Sequence, residues 1–96
     1  MRNGKTSTGF KFEFDSSALD DMRFVDVLGT VMDDGAPEFD RLRATSKCID
    51  MLIGREQKAA LYEHIGTTHG GRVPYMALVG ELQDIMSAPG KDAGKN

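Results

Sequence analysis

Two histidines, one cysteine and a glycine-rich loop are the residues of this chain whose types could do chemistry. His64 and His69 stand five apart, a spacing that crosses an expected helix end. A zinc site would need two further ligands, and the remaining candidates are scattered carboxylates and Cys48. There is no His-Glu-x-x-His arrangement to place two imidazoles on one helical face. Cys48 lies among Ile49, Met51 and Leu52, where a free cysteine serves as a small buried hydrophobe rather than a nucleophile. As the single cysteine it allows no intrachain disulfide. Gly66-Thr67-Thr68-His69-Gly70-Gly71-Arg72 has the composition of an anion cradle, but lacks the Gly-Lys-Ser/Thr ending and preceding strand of a phosphate loop. Ser17 and Ser46 have no histidine or acid at a spacing that would activate a hydroxyl. Asp20-Asp21 and Asp33-Asp34 read as a helix start and a turn, not as an acid/base pair with one member held in an apolar pocket. The expectation is of no catalytic residue, no cofactor site and no metal site, hence no enzyme.

Composition supports a single small domain. The chain has 96 residues, 40% hydrophobic and 28% charged, with a net charge of −3. That acidic balance argues against a protein that binds nucleic acid by neutralising phosphates. No run of 18 apolar residues is present, so no membrane-spanning segment is expected. Met1-Arg2-Asn3-Gly4-Lys5 lacks the apolar centre of a signal peptide, which places the expected location in the cytoplasm.

The elements that must position these residues read mainly as helices. Residues 1–9 are small and polar, the pattern of a flexible tail. Phe10-Lys11-Phe12-Glu13-Phe14 alternates aromatic and charged side chains, which predicts a strand over 10–14 with one buried face. No comparable strand follows it within hairpin distance. It is therefore expected as an extended arm, packed on its own domain or docked on a neighbour. Asp15-Ser16-Ser17 offers N-cap oxygens for a helix of about 16 residues (~24 Å). Leu19, Met22, Val25, Leu28 and Met32 are its expected inner stripe, with Phe24, Val27 and Val31 widening it. That width suggests burial on two sides. Gly29 suits close approach of another helix.

Pro37-Glu38 opens a second helix with Phe39, Leu42, Ile49, Leu52 and Ile53 inward and Arg41, Arg43 and Lys47 mostly outward. Gly54 stops it. Arg55-Glu56-Gln57-Lys58-Ala59-Ala60-Leu61 begins a short third helix over about 55–65, with Ala60, Leu61 and Ile65 inward. After the glycine loop, Val73-Pro74 restarts the chain. Tyr75, Leu78, Val79, Leu82, Ile85 and Met86 form the cleanest helical stripe in the sequence. Pro89-Gly90 ends it, and residues 89–96 read as a flexible C-terminal tail. The expected fold is a mainly α, compact bundle of about four helices with an extended N-terminal arm, one domain spanning 10–88.

The order of these features, an apolar helix, Leu52-Ile53-Gly54, Glu56-Gln57, Leu61-Tyr62-Glu63-His64, a polar loop, Gly71-Arg72-Val73-Pro74 and an amphipathic helix, resembles the small tail assembly chaperones of long-tailed bacteriophages and prophages. Phe10-Lys11-Phe12-Glu13-Phe14 and the acidic Ala18-Leu19-Asp20-Asp21 extend the likeness over roughly residues 10–88. It departs at Met22-Arg23-Phe24, where a tryptophan would match the family better, and in a Cys48 helix poorer in leucine. The resemblance implies binding of the tape-measure protein and recruitment of tail-tube subunits during tail morphogenesis, with self-association left open. It also implies a second, longer product made by ribosomal frameshifting, for which Gly90-Lys91 and Gly94-Lys95-Asn96 are compatible codon runs. Two other readings stand beside it. One is a structural tail or head-completion protein retained in the virion. The other is a small helical transcriptional regulator, which the absence of a base-reading row of Arg, Lys, Asn or Gln on the last two helices disfavours.

Overall fold

A computed structural model describes residues 1–88. The expected C-terminal tail, 89–96, lies outside the described residues, with its Pro89-Gly90 stop and both candidate frameshift positions. The chain runs β1 (Arg2–Lys5), β2 (Lys11–Phe14), a 3-10 turn (Ser16–Asp20), α1 (Met22–Met32), α2 (Glu38–Gly66) and α3 (Tyr75–Met86). It is mainly helical, with three helices rather than four. The segments expected as second and third helices run on without an intervening loop as the two arms of α2, separated at the expected place by Gly54, whose backbone is not helical.

Residues 2–5 are not a tail. They pair antiparallel with β2 in the register Arg2 opposite Phe14, Asn3 opposite Glu13, Gly4 opposite Phe12 and Lys5 opposite Lys11. Arg-Asn-Gly-Lys has little intrinsic strand preference, so the partner strand must supply the order. Gly4 faces Phe12 across the pair, and a Cβ there would come into ordinary contact with the ring at 3.4 Å. Arg2 donates through Nη1 to the carbonyl of Ala88 at 2.8 Å, joining β1 to the end of the described chain. Phe10, Phe12 and Phe14 are all buried, as the alternation predicts. The outer edge of β2 is closed by a side chain. Gln57 accepts from the Glu13 N–H at 2.9 Å and donates to the Glu13 carbonyl at 2.7 Å, in the manner of a neighbouring strand.

The first helix is shorter than the expected 16 residues because Asp21 interrupts it with extended geometry, φ −82 and ψ 119. Asp15 caps the 3-10 turn by accepting from the Ser17 N–H, and Asp21 caps α1 by accepting from the Arg23 N–H. These bonds favour the charged carboxylates and hold both below the ordinary aspartate range. The inner face of α1 is also rotated from the expected one. Phe24 is fully buried, with Val27, Leu28 and Val31 packed against the core, while Met22, Val25 and Met32 point outward. Phe39 and Ala60, expected inward, are exposed as well.

Gly54 adopts φ 83, ψ 168, a backbone region that side chains disfavour. The turn there is sharp. Ser46 and Tyr62, which would be ~24 Å apart along a straight helix, share a hydrogen bond of 2.8 Å between their hydroxyls. Gln57 donates to the Ile53 carbonyl at 2.8 Å as well, so one amide serves both the bend and the strand edge. Replacing Gly54 with alanine is expected to destabilise by about 1–2 kcal/mol, measured by urea unfolding. An unchanged midpoint would show that the bend tolerates a side chain.

Cys48, Ile49, Leu61, Leu82 and Ile85 lie at the centre of the core. Burial pushes the Cys48 thiol up from the ordinary 9.0 to about 11. The folded state therefore keeps its proton longer than the unfolded chain. The associated stability is fully present below pH 9.0 and is lost as pH rises through about 11. At pH 8, labelling by a thiol-specific disulfide reagent should be no faster than global unfolding. Faster labelling would show local access to Cys48.

Candidate functional site

The two histidines are brought to one place, though not as a metal centre. Both border a cavity of about 390 Å³ between the hairpin tip, the end of α2 and the start of α3, with Ser7, Thr8 and Glu81. Among the described residues no group of three or more His, Cys, Asp or Glu side chains is placed to hold a metal ion. Thr8 donates through Oγ1 to Glu81 Oε2 at 2.6 Å and lies 3.0 Å from His64 Nε2. A hydroxyl has one proton, so with Thr8 donating to Glu81 the imidazole must donate to Thr8. That order differs from a nucleophile relay, in which the histidine takes the hydroxyl proton and the acid orients the far ring nitrogen. The neighbouring Ser7 donates to Asp84 Oδ2 from both N–H and Oγ, at 2.9 and 2.8 Å. The result is a polar clamp holding the hairpin tip on α2 and α3.

Of this clamp only His64 stands out in the sequence; Ser7, Thr8, Asp84 and Glu81 do not, and Glu81 is the most deeply buried of them. Only 3% of it is exposed. It forms no ion pair among the described residues, and its Oε1 has no hydrogen-bond partner. The helical stripe of α3 does not include position 81; the hairpin tip covers it, and that contact is invisible without the β1–β2 pairing.

The glycine loop does not present an anion cradle. The N–H groups of Thr67, Thr68, His69, Gly71 and Arg72 all donate to backbone carbonyls of the end of α2 or of the loop itself. Gly70 and Gly71 take φ 64 and 86, and Gly66 packs on the Gly71 backbone. The Ser46 hydroxyl shares a hydrogen bond with that of Tyr62, and the Ser17 backbone N–H donates to Asp15 as a turn cap. Asp33 accepts from the Gly35 N–H at 2.9 Å, the turn role its sequence suggests. Of the basic run on α2, Arg43 and Lys47 are exposed and Arg41 is half-buried; Arg43 lies 6.0 Å from the Phe39 ring centre.

A second feature is apolar. α1 and α3 each make their main packing contacts with α2. Between them runs an open groove of about 230 Å³, lined chiefly by Leu28, Val31 and Met32 of α1 and Val79, Leu82 and Met86 of α3. Met32 is 74% exposed at its edge, and Met22 and Val25 continue the apolar surface along α1 at 65% and 38%. Flexible methionines at a groove suit a surface that adapts to different side chains. Helix-in-groove recognition uses an apolar groove of this kind between two helices.

Among the described residues no helix is long and apolar enough to cross a membrane. Comparison with known protein families, with characterised proteins and with solved structures finds no match.

Proposed function

We propose that this protein is a tail assembly chaperone of a long-tailed phage or prophage, which covers apolar helices of the tape-measure protein and helps recruit tail-tube subunits. The order of sequence features across residues 10–88 supports the reading. The observation that carries its mechanism is the apolar α1–α3 groove with Met32 exposed at its edge. An accessible apolar groove bordered by flexible methionines suits the covering of an apolar helix surface. On this account the protein performs no catalysis, and the Thr8–Glu81–His64 clamp serves to fix the hairpin.

The competing reading is a structural tail or head-completion protein. Mass spectrometry of purified virions separates the two. A chaperone is expected in the infected or induced cell lysate and absent from the particle. Recovery at fixed stoichiometry in the particle would replace the chaperone reading with the structural one.

A further inference from the structure

The outward face of α1 has a regular pattern. Met22, Val25, Gly29 and Met32 recur at three- and four-residue steps, the spacing of a single helical seam. A Cβ built at Gly29 would meet nothing within 4 Å, so the seam is open at its middle. Met32 lines the groove with α3, and Val25 stands two turns earlier on the same stripe of α1. This surface is about three helical turns long, ~15 Å, which matches a short helix laid alongside.

Charge decides what kind of helix. Residues 20–34 carry five aspartates, at 20, 21, 26, 33 and 34, and one base, Arg23. Arg23 is already turned onto Asp21, with Nε 3.4 Å from Oδ1. Arg43 and Lys47 border α1 on its α2 side, beside Asp26, and do not line the α1–α3 groove. The apolar seam thus has acidic ends. A second copy docked by twofold symmetry would bring the same acidic segment against itself, and an anionic lipid surface would be repelled for the same reason.

We infer that the α1–α3 groove receives an amphipathic helix of another protein whose apolar stripe is flanked by lysine or arginine. This deepens the chaperone proposal and rests on its use of the groove. Cationic flanks meeting Asp20, Asp33 and Asp34 set the orientation and rate of docking, and the apolar stripe covers Leu28, Met32 and Val79.

The test uses the full chain and three fluorescent peptides of about 18 residues, long enough to form a helix over the groove. One carries leucine at helical spacing with lysine flanks, one replaces the lysines by glutamate, and one scrambles the lysine peptide so that no stripe remains. Fluorescence anisotropy is read at about 0.05 M and 0.5 M salt. The lysine peptide should bind at least tenfold more tightly than the other two at low salt, with a smaller advantage at high salt. D20K/D34K should cut that advantage severalfold. Met32→Glu should abolish binding even though it adds negative charge, which separates groove docking from unspecific attraction. Far-UV circular dichroism would verify that these surface variants fold.

Equal binding of the scrambled or glutamate peptide, or binding indifferent to Met32→Glu, would overturn the inference. So would a dimer of the free protein that Met32→Glu dissolves, since a second copy would then fill the groove. A tape-measure complex that forms regardless of Met32→Glu would remove the groove and leave the chaperone reading standing. Peptide binding without any tape-measure complex would do the reverse.

Discussion

Replacing Phe24 with alanine is expected to lower the free energy of unfolding by about 3–5 kcal/mol, whereas Phe39→Ala should change it by less than about 0.5 kcal/mol. The two phenylalanines sit near the starts of α1 and α2, and hydropathy does not tell them apart. Phe24 is 1% exposed and belongs to the central core cluster; Phe39 is 66% exposed. Truncating Phe24 removes a ring from a closely packed site, and the surroundings close only partly over the space left. A domain of this size has a total stability on the order of 5–15 kcal/mol, so Phe24→Ala should leave a substantially less stable protein at ambient temperature. Urea unfolding of the two variants beside the parent measures the difference. Equal effects would mean that α1 is rotated relative to the packing described, with Met22 and Val25 inward.

The second large effect concerns the clamp. Thr8→Val is expected to destabilise by about 1–3 kcal/mol, although Thr8 itself is exposed. The cost arises at Glu81, whose Oε2 loses the 2.6 Å bond from Thr8 while Oε1 already has no partner. An almost fully buried carboxylate with neither oxygen bonded is far less favourable than a buried apolar group of similar shape. Glu81→Met in the Thr8→Val background should therefore recover most of the loss, because both members of the polar contact are then gone. The double-mutant cycle, followed by urea unfolding, reads this coupling directly. A Thr8→Val variant as stable as the parent, or a double mutant worse than either single one, would show that the hairpin tip is not held through Glu81.

Much of the architecture is legible in the sequence, for reasons that can be located. The stripe of α3 reads correctly because its apolar residues are confined to one arc, and Leu78, Leu82 and Ile85 are buried as expected. Gly54 reads as a break because a glycine between an apolar run and a charged helix former has few other uses, and its positive φ agrees. Phe10, Phe12 and Phe14 announce a strand by alternation alone. Other features depend on tertiary contacts. β1 has no strand former; it is ordered by Gly4 against Phe12 and by Arg2 reaching Ala88. α1 is apolar over most of its circumference, so periodicity allows two inner faces, and packing against α2 selects Phe24, Val27 and Val31.

The same division applies to function. His64 stands out by residue type, but Thr8, which it bonds, and Glu81, which Thr8 bonds in turn, are remote in sequence and are joined to it only through the hairpin. The groove is composed of residues that look like core filler one at a time. It forms where α1 and α3, each packed mainly on α2, come side by side. Its apolar character could be expected from the excess width of α1; its position could not.

The most direct measurement is co-expression of this protein with the tape-measure protein of the same genome, scored by soluble yield and co-purification, with the parent and Met32→Glu compared side by side. The account predicts that the parent brings an otherwise insoluble partner into a stable soluble complex and that Met32→Glu fails to do so while remaining folded. Absence of both rescue and complex, with the two proteins well expressed, would contradict the account.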